Sequence, residues 1–396
     1  MPRNTIDVAV VGGGVAGLTL AIGLTRAGLR CRVYEQAAEF REIGAGVQLS
    51  PNSTRLLHRL GAAEPLDAIA VKPAGVVARH WATGALLRST PLGRMCEEMY
   101  GAPFYCVHRA ELHAVLRGLV PPGTVRLGTR CVGVTDHPDG AGMRFADGSA
   151  ETADVVVGAD GICSVVREAL ESDTPRFSGK SAYRGLIPAD RLPGSSTEAQ
   201  VRLWLGPDRH LVHYPVSRGR WISFAAITPA ADSRAETWTT PGRARDLRTA
   251  YEGWHSDVQE FFAAAGAVTR WALHDRAPIG RWHRGRITLV GDAAHPMLPF
   301  GAQGASQAIE DAAALTACLR GAGPGREQIT SALRRYGEVR RARTGDVQRM
   351  VQEKSRTHHY FDGAEQRERD RTSHQREGLR QREWLYGYEA EAAVLR

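Results

Sequence analysis

Three glycines, three carboxylates and one histidine–tyrosine pair hold most of the chemistry that can be read from this chain. Gly12-x-Gly14-x-x-Gly17 follows a continuous apolar run, Ile6 to Val11, and opens a helical stretch, with Glu35 close to the twenty-residue offset of a dinucleotide fingerprint. In that setting Gly12 permits a tight turn, Gly14 lets the backbone approach a pyrophosphate, and Gly17 lets helix and strand pack closely. The N–H groups around Val15 and Ala16 offer roughly half a positive charge to phosphates. Glu35 can accept from ribose hydroxyls. A second strand, turn and helix entry spans Arg286 to Ala313, where Ile287 to Val290 lead into Gly291-Asp292, a Pro-punctuated loop and a small-residue helix from about Gly304. Asp160 ends a third apolar run, Asp154 to Val157, and begins Asp-Gly with Ser164 and Arg167 beyond it. His210 and Tyr214 stand four apart in a strand pattern, so their side chains share one face while His213 takes the other.

The elements that must position these groups follow from local pattern. Ala16 to Ala27 reads as a helix with Gly28 past its end, and Arg30 to Tyr34 resumes strand character, completing a βαβ unit. Phe40 to Ser53 holds an arginine, a second glycine loop and a Pro51-Asn52 helix start. Val76 to Arg88 reads as a hairpin turning at Ala82-Thr83-Gly84. Val107 to Gly118 leads into another helix, and Val125 to Val134 and Met143 to Phe145 read as strands. Between Pro175 and Ala277 the chain is β-rich, with Gln200 to Leu205, His210 to Val216 and Trp221 to Thr228 as successive antiparallel strands, then a helical stretch from Asp246 to Ala265. Glu327 to Glu353 keeps apolar residues at helical spacing and Gln366 to Arg382 is almost wholly polar, which suggests helices on the outside with Trp384, Leu385, Tyr386 and Tyr388 pinning the tail.

Composition bounds the possibilities. At 396 residues, with 43% hydrophobic and 24% charged residues, the chain suits a soluble protein of two or three domains. The net charge of +8 comes from arginines spread among glutamates, unlike the clustered basic face that nucleic-acid binding requires. No apolar run approaches the ~20 residues of a membrane span, and the basic C-terminal stretches lack the aromatic stripe of a membrane-surface helix. The six cysteines include no Cys-x-x-Cys, so neither zinc nor a disulfide framework is indicated; with no secretory segment at the N-terminus, a reduced, cytoplasmic setting is expected. Glu310-Asp311 sits on a helix without partner histidines, and no metal site is expected.

Taken together, residues 12–17, 158–167 and 291–305 resemble, in order and spacing, the motifs of the single-component FAD-dependent aromatic hydroxylases. EIGAGVQLSPN, RHLVHYP, GDAAHPMLPFGAQGA and WLYGYEAEAA look most like the salicylate hydroxylase and 3-hydroxybenzoate 6-hydroxylase branch. The resemblance implies an α/β fold: a Rossmann-like FAD-binding domain of the p-hydroxybenzoate hydroxylase type (1–72, 98–174 and 278–325), an inserted antiparallel substrate domain (73–97 and 175–277), and C-terminal helices (326–396). It implies that NADH or NADPH reduces FAD, that O2 adds to give a C4a-hydroperoxide, and that the distal oxygen passes to an electron-rich ring. Residue by residue, it places Arg41 and Arg109 near the FAD phosphates, Val47 and Gln48 beside the ring, and Asp160 at FAD and NAD(P)H. Asp292 is expected on the ribityl hydroxyls, with the Gly304 and Ala305 amides facing the reduced ring's charge.

Because a phenol reacts faster as its phenolate, a base in the pocket matters. The His and Tyr facing substrate in the resembling hydroxylases fall on His210 and Tyr214, read here as base and orienting hydroxyl. The loop after His295 departs from that pattern: Pro299 and Phe300 stand where relatives carry glutamine or histidine, which suggests a more apolar substrate or a different pose. Arg184 and Arg202 are the candidates for a substrate carboxylate. His295 is expected to brace its loop. A natural-product tailoring oxygenase acting on a fused ring, a flavin dehydrogenase or reductase without oxygen transfer, and a flavin-binding protein without turnover all remain compatible with these residues, as does either a monomer or a homodimer.

Overall fold

The computed structural model describes residues 5–40, 45–230, 240–373 and 378–396. One sheet runs in the order His283–Arg284, Ile287–Leu289, Val155–Gly158, Asp7–Val11, Arg30–Tyr34, Val125–Arg126, parallel throughout except at its first pair. Asp7–Val11 and Val155–Gly158 are buried at every position, as strands covered on both faces must be, and this is why they read as unbroken apolar runs. Val15–Arg26 and Gly304–Arg320 pack together against the sheet. A smaller antiparallel sheet, Cys131–His137, Gly140–Phe145 and Ala150–Ala153, connects into it.

The second large sheet orders Thr240–Gly242, Val268–Asp275, Arg176–Pro188, Trp221–Pro229, Arg209–Val216, Gln200–Gly206, Gly75–His80 and Leu86–Pro91. The hairpin read from residues 76–88 joins it through a parallel pairing of Gly75–His80 with Gln200–Gly206. Cross-strand register decides which side chains share a face. His210, Val212 and Tyr214 stand opposite Ile227, Ala225 and Ser223, and Arg184 also stands opposite Ala225. Arg202 stands opposite His213, on the other face.

Two local readings change. Asp246 to Ala265 is two helices, Ala244–Ala250 and Ser256–Ala264. The chain breaks between them, where Gly253 takes φ +79° and the Tyr251 hydroxyl reaches between the carbonyls of His210 and Ile227. The polar C-terminal region is also more internal than its composition suggests. Arg326–Thr357 is a single helix that buries Leu333, Tyr336, Val347 and Val351 together with Arg340 and Arg343. Leu385 and Tyr386 are buried and pin the tail, whereas Trp384 stays half-exposed against the Arg343 guanidinium.

Candidate active site

The first cradle is built by close backbone contact. An ideal Cβ on Gly12, whose φ is +108°, would lie 2.4 Å from the Ala159 carbonyl oxygen, and one on Gly17 would lie 2.0 Å from the Gly12 carbonyl oxygen. Around Gly14 there is nothing within 4 Å. Two glycines are thus required for packing and the third leaves the helix entrance open. The Val15–Arg26 helix has no side-chain cap and no acid in its first turn, so its leading N–H groups remain for an anion. Glu35 accepts from the Gly13 and Ala37 amides, at 2.7 and 2.8 Å, and keeps lone pairs for ribose hydroxyls. Gly17→Val should therefore yield protein that purifies without the yellow flavin band; normal FAD content would contradict this packing account.

Gly12 meets the Asp160 segment, and Gly291 meets Ala16 and Ala308, which an added Cβ would approach to 3.0 and 3.3 Å. The three motifs therefore pack against one another. Asp292 reaches within 4.0 Å of where a Gly304 Cβ would stand. Its side chain is accessible to solvent, and desolvation by the protein around it raises its carboxyl above the ordinary value, against the opposing pull of His295 and Arg109. The Gly304–Arg320 helix begins without a side-chain cap, so no capping side chain occupies the Gly304 and Ala305 amides of its first turn. These groups fit FAD: open amides for phosphates and ring, a carboxylate for hydroxyls, and the Arg109 cation. Asp160 also has a local role. Its Oδ1 accepts from the Ser164 hydroxyl and its Oδ2 from the Val165 and Val166 amides, so it caps a short helix and shapes the turn. Arg41 lies outside the described residues.

Val47 and Gln48 lie on Gly46–Leu49, which pairs with Tyr105–His108. This strand presses against the second sheet at Gly46, where a Cβ would come within 2.6 Å of the Tyr214 ring. Tyr214 is buried there beside Ser223 and Gln48, and burial raises its hydroxyl above the usual tyrosine value.

Behind the 291–305 loop lies a buried ionic network with no local signature in the sequence. Arg340 binds Glu310 at 2.5 Å and Asp311 at 2.8 Å, and Arg343 binds Glu310 at 3.2 Å. Asp311 also accepts from the Gly291 amide at 2.8 Å and from His295 at 2.6 Å. Asp311 thus does have a histidine partner, and His295 braces the loop. Burial alone would raise both carboxyls; Arg340 and Arg343 at Glu310, and His295 followed by Arg340 at Asp311, outweigh it and hold both below the ordinary range. Arg167, fully buried, adds bonds to the carbonyls of Ala293 and Ala294. Among the described residues no cluster of histidine, cysteine and carboxylate side chains is arranged to hold a metal.

A cleft opens beside the 299–303 segment. Its walls include Val201, Leu203, Val212, Phe104 and Phe300, and its polar lining includes Gln48, Gln303, His210, His358 and the cations Arg88, Lys354 and Arg382. His210 is buried, and that burial first, with His359 and His358 beside it, holds its imidazole well below the usual histidine value. Phe300 meets its ring edge-on at 5.5 Å, so Pro299 and Phe300 do shape this end of the cleft. Arg202 projects from the opposite face and is tied to Glu198 at 2.8 Å. Arg184 shares the face of Tyr214 but stacks over Trp271, away from the cleft lining. The cations facing the cleft had no motif to mark them; their helix and hairpin positions converge only in the fold.

A family model described as an FAD binding domain matches residues 5–352. The chain belongs to this family. It is 48% identical over 385 residues to 3-amino-4-hydroxybenzoate 2-monooxygenase PtnB3 of Streptomyces platensis, covering 97% of this chain and 96% of that one. It is 33% identical over 397 residues to 3-hydroxybenzoate 6-hydroxylase of Polaromonas naphthalenivorans, covering 98% of each. Among solved structures, a salicylate hydroxylase substrate complex superimposes with a TM-score of 0.83 at 28% identity, covering 99% of this chain and 98% of that one. The chain is an FAD-dependent monooxygenase that hydroxylates a small aromatic substrate with NAD(P)H and O2. Its fold is that of the p-hydroxybenzoate hydroxylase-like flavoproteins. Among the described residues no helix of this hydroxylase is long and apolar enough to cross a membrane.

Proposed function

We propose that this hydroxylase acts on a carboxylated aminophenol of the 3-amino-4-hydroxybenzoate kind, with His210 as base and Tyr214 as the orienting hydroxyl. The cleft supports this reading most directly, because it joins an uncharged imidazole to three cations across apolar walls that suit one aromatic ring. Bound FAD supplies electron transfer from NAD(P)H and the activation of O2. His210 accepts the phenolic hydrogen bond and takes the proton as the ring is hydroxylated, while Arg88, Lys354 and Arg382 receive the carboxylate. In this reading Gly12, Gly14, Val15, Ala16, Gly17, Glu35 and Arg109 hold the adenosine diphosphate, Asp292 the ribityl chain, and Val47, Gln48, Gly304 and Ala305 the ring. Residues 1–72, 98–174 and 278–325 form the flavin domain, 73–97 and 175–277 the substrate domain, and 326–396 closes the cleft between them. The cysteines, unpaired in the fold, fit a reducing cytoplasm.

A panel of hydroxybenzoates and aminohydroxybenzoates tests the proposal through NAD(P)H oxidation and ¹⁸O incorporation from ¹⁸O₂. Stimulation by 3-amino-4-hydroxybenzoate with one labelled atom in the product is the expected result. Faster turnover of a phenol lacking the carboxylate would overturn the substrate assignment. Lys354→Met and Arg382→Met should each raise KM for the carboxylated substrate by about 10-fold or more, the scale of a lost charge-assisted hydrogen bond, with kcat much less affected.

A further inference from the structure

We propose that His359 is a positioning residue that fixes the tautomer of His210, so that the lone pair of His210 Nε2 faces the cleft. The inference rests on the reading of His210 as base and adds a residue to it. His359 lies just beyond the end of the Arg326–Thr357 helix, and its Nδ1 stands 2.6 Å from the Ser355 carbonyl oxygen. A carbonyl can only accept, so His359 Nδ1 carries the hydrogen and donates it.

Both rings are buried. Burial, with Lys180 next, lowers His359 to about 4, and His210 also lies well below its ordinary value, so both are neutral near pH 7. A neutral imidazole has one N–H, which leaves His359 Nε2 as a lone pair. That atom faces His210 Nδ1 at 2.9 Å. His210 Nδ1 must therefore be the donor, and its Nε2 bears no hydrogen. Since Nδ1 is engaged by His359, Nε2 is the nitrogen His210 has for the cleft it lines.

The consequence for chemistry is direct. In this tautomer His210 accepts from a phenol; in the other it would present an N–H and have no lone pair for the proton. The arrangement also steadies the imidazolium once His210 is protonated, because Nδ1–H already has an acceptor. A third group that orients the base serves triads in the same way. Phe300 holds the pair in place, with its ring 5.5 Å from His210 and 5.0 Å from His359. The apolar substitution in the loop thus packs a histidine pair, and the polar partner enters from the C-terminal helix.

¹⁵N-histidine spectra of the FAD-loaded enzyme, with His210 assigned by substitution, read the tautomer without turnover. The expected spectrum shows His210 protonated at Nδ1 and unprotonated at Nε2. His359→Phe should shift it toward the Nε2–H form and lower the hydroxylation kcat by about 10-fold or more, with flavin reduction nearly unchanged. His359→Gln, whose amide oxygen can accept from Nδ1–H, should restore most of both. A wild-type spectrum with the proton on Nε2 overturns the proposal, even should His359→Phe fail to fold; so does a His359→Phe enzyme with unchanged tautomer and kcat. Full hydroxylation by His210→Asn would sink the base assignment instead, while leaving the measured tautomer intact.

Discussion

Arg340→Met is expected to destabilise the protein by about 3–5 kcal/mol, the scale of removing one partner from a buried ionic network. Arg340, Glu310 and Asp311 are all fully buried, so neither carboxylate can turn to solvent for compensation. Asp311 would still anchor the Gly291 amide and His295, but with one positive neighbour fewer, and the Asp292 loop would loosen with it. Urea unfolding and FAD dissociation measure both effects. A stability loss under about 1 kcal/mol would show that the network contributes little beyond its packing.

The pH dependence has a definite sign. Glu310 and Asp311 are held below their ordinary range in the folded state. Their contribution is therefore complete above the unfolded carboxyl pKa of about 4 and is lost as pH falls through the lower folded values. Without Arg340 that contribution shrinks, so the stability gap between wild type and variant should be widest near neutrality and should narrow below about pH 4. A gap constant from pH 7 to pH 3 would exclude this origin.

His210→Ala should cut hydroxylation by about 10²–10⁴-fold, the range supplied by a positioned general base, while flavin reduction by NAD(P)H stays nearly intact. The imidazole lines the cleft and not the dinucleotide cradle, which is why the two steps should separate. NAD(P)H would then be consumed with hydrogen peroxide released in place of product. Single-turnover reduction measured beside product yield distinguishes the cases, and equal losses in both would refute the role of base.

Much of the cofactor site was legible because it depends on local backbone demands. A strand buried on both faces must be apolar, a tight turn at φ +108° favours glycine, and a helix entrance near a phosphate cannot carry a side chain. These demands mark Gly12, Gly14 and Gly17 within a few residues of one another. Period-2 alternation likewise put His210 and Tyr214 on one face and His213 on the other, and the cross-strand register agrees. Asp160 was harder, since a helix cap and a cofactor ligand look alike in sequence; only the geometry shows both its oxygens turned to Ser164 and the helix amides.

The cleft was not legible. Arg88 comes from a hairpin, Lys354 and His358 from the end of a long helix, and Arg382 from the tail. Nothing in their spacing links them, because long-range convergence leaves no periodic trace. Arg202 shows the converse: its charge invited a binding role, yet pairing with His213 turns it to the far face. Arg340 and Arg343 read as solvated charge because a composition count cannot reveal that Glu310 and Asp311 wait in the core. The βαβ unit, the strand faces and the kind of cofactor can be read from residues in order along the chain, since each is encoded in contiguous residues obeying backbone sterics. Which cations line the cleft and which histidine meets His210 emerge only in the folded chain, because they depend on contacts between segments more than a hundred residues apart.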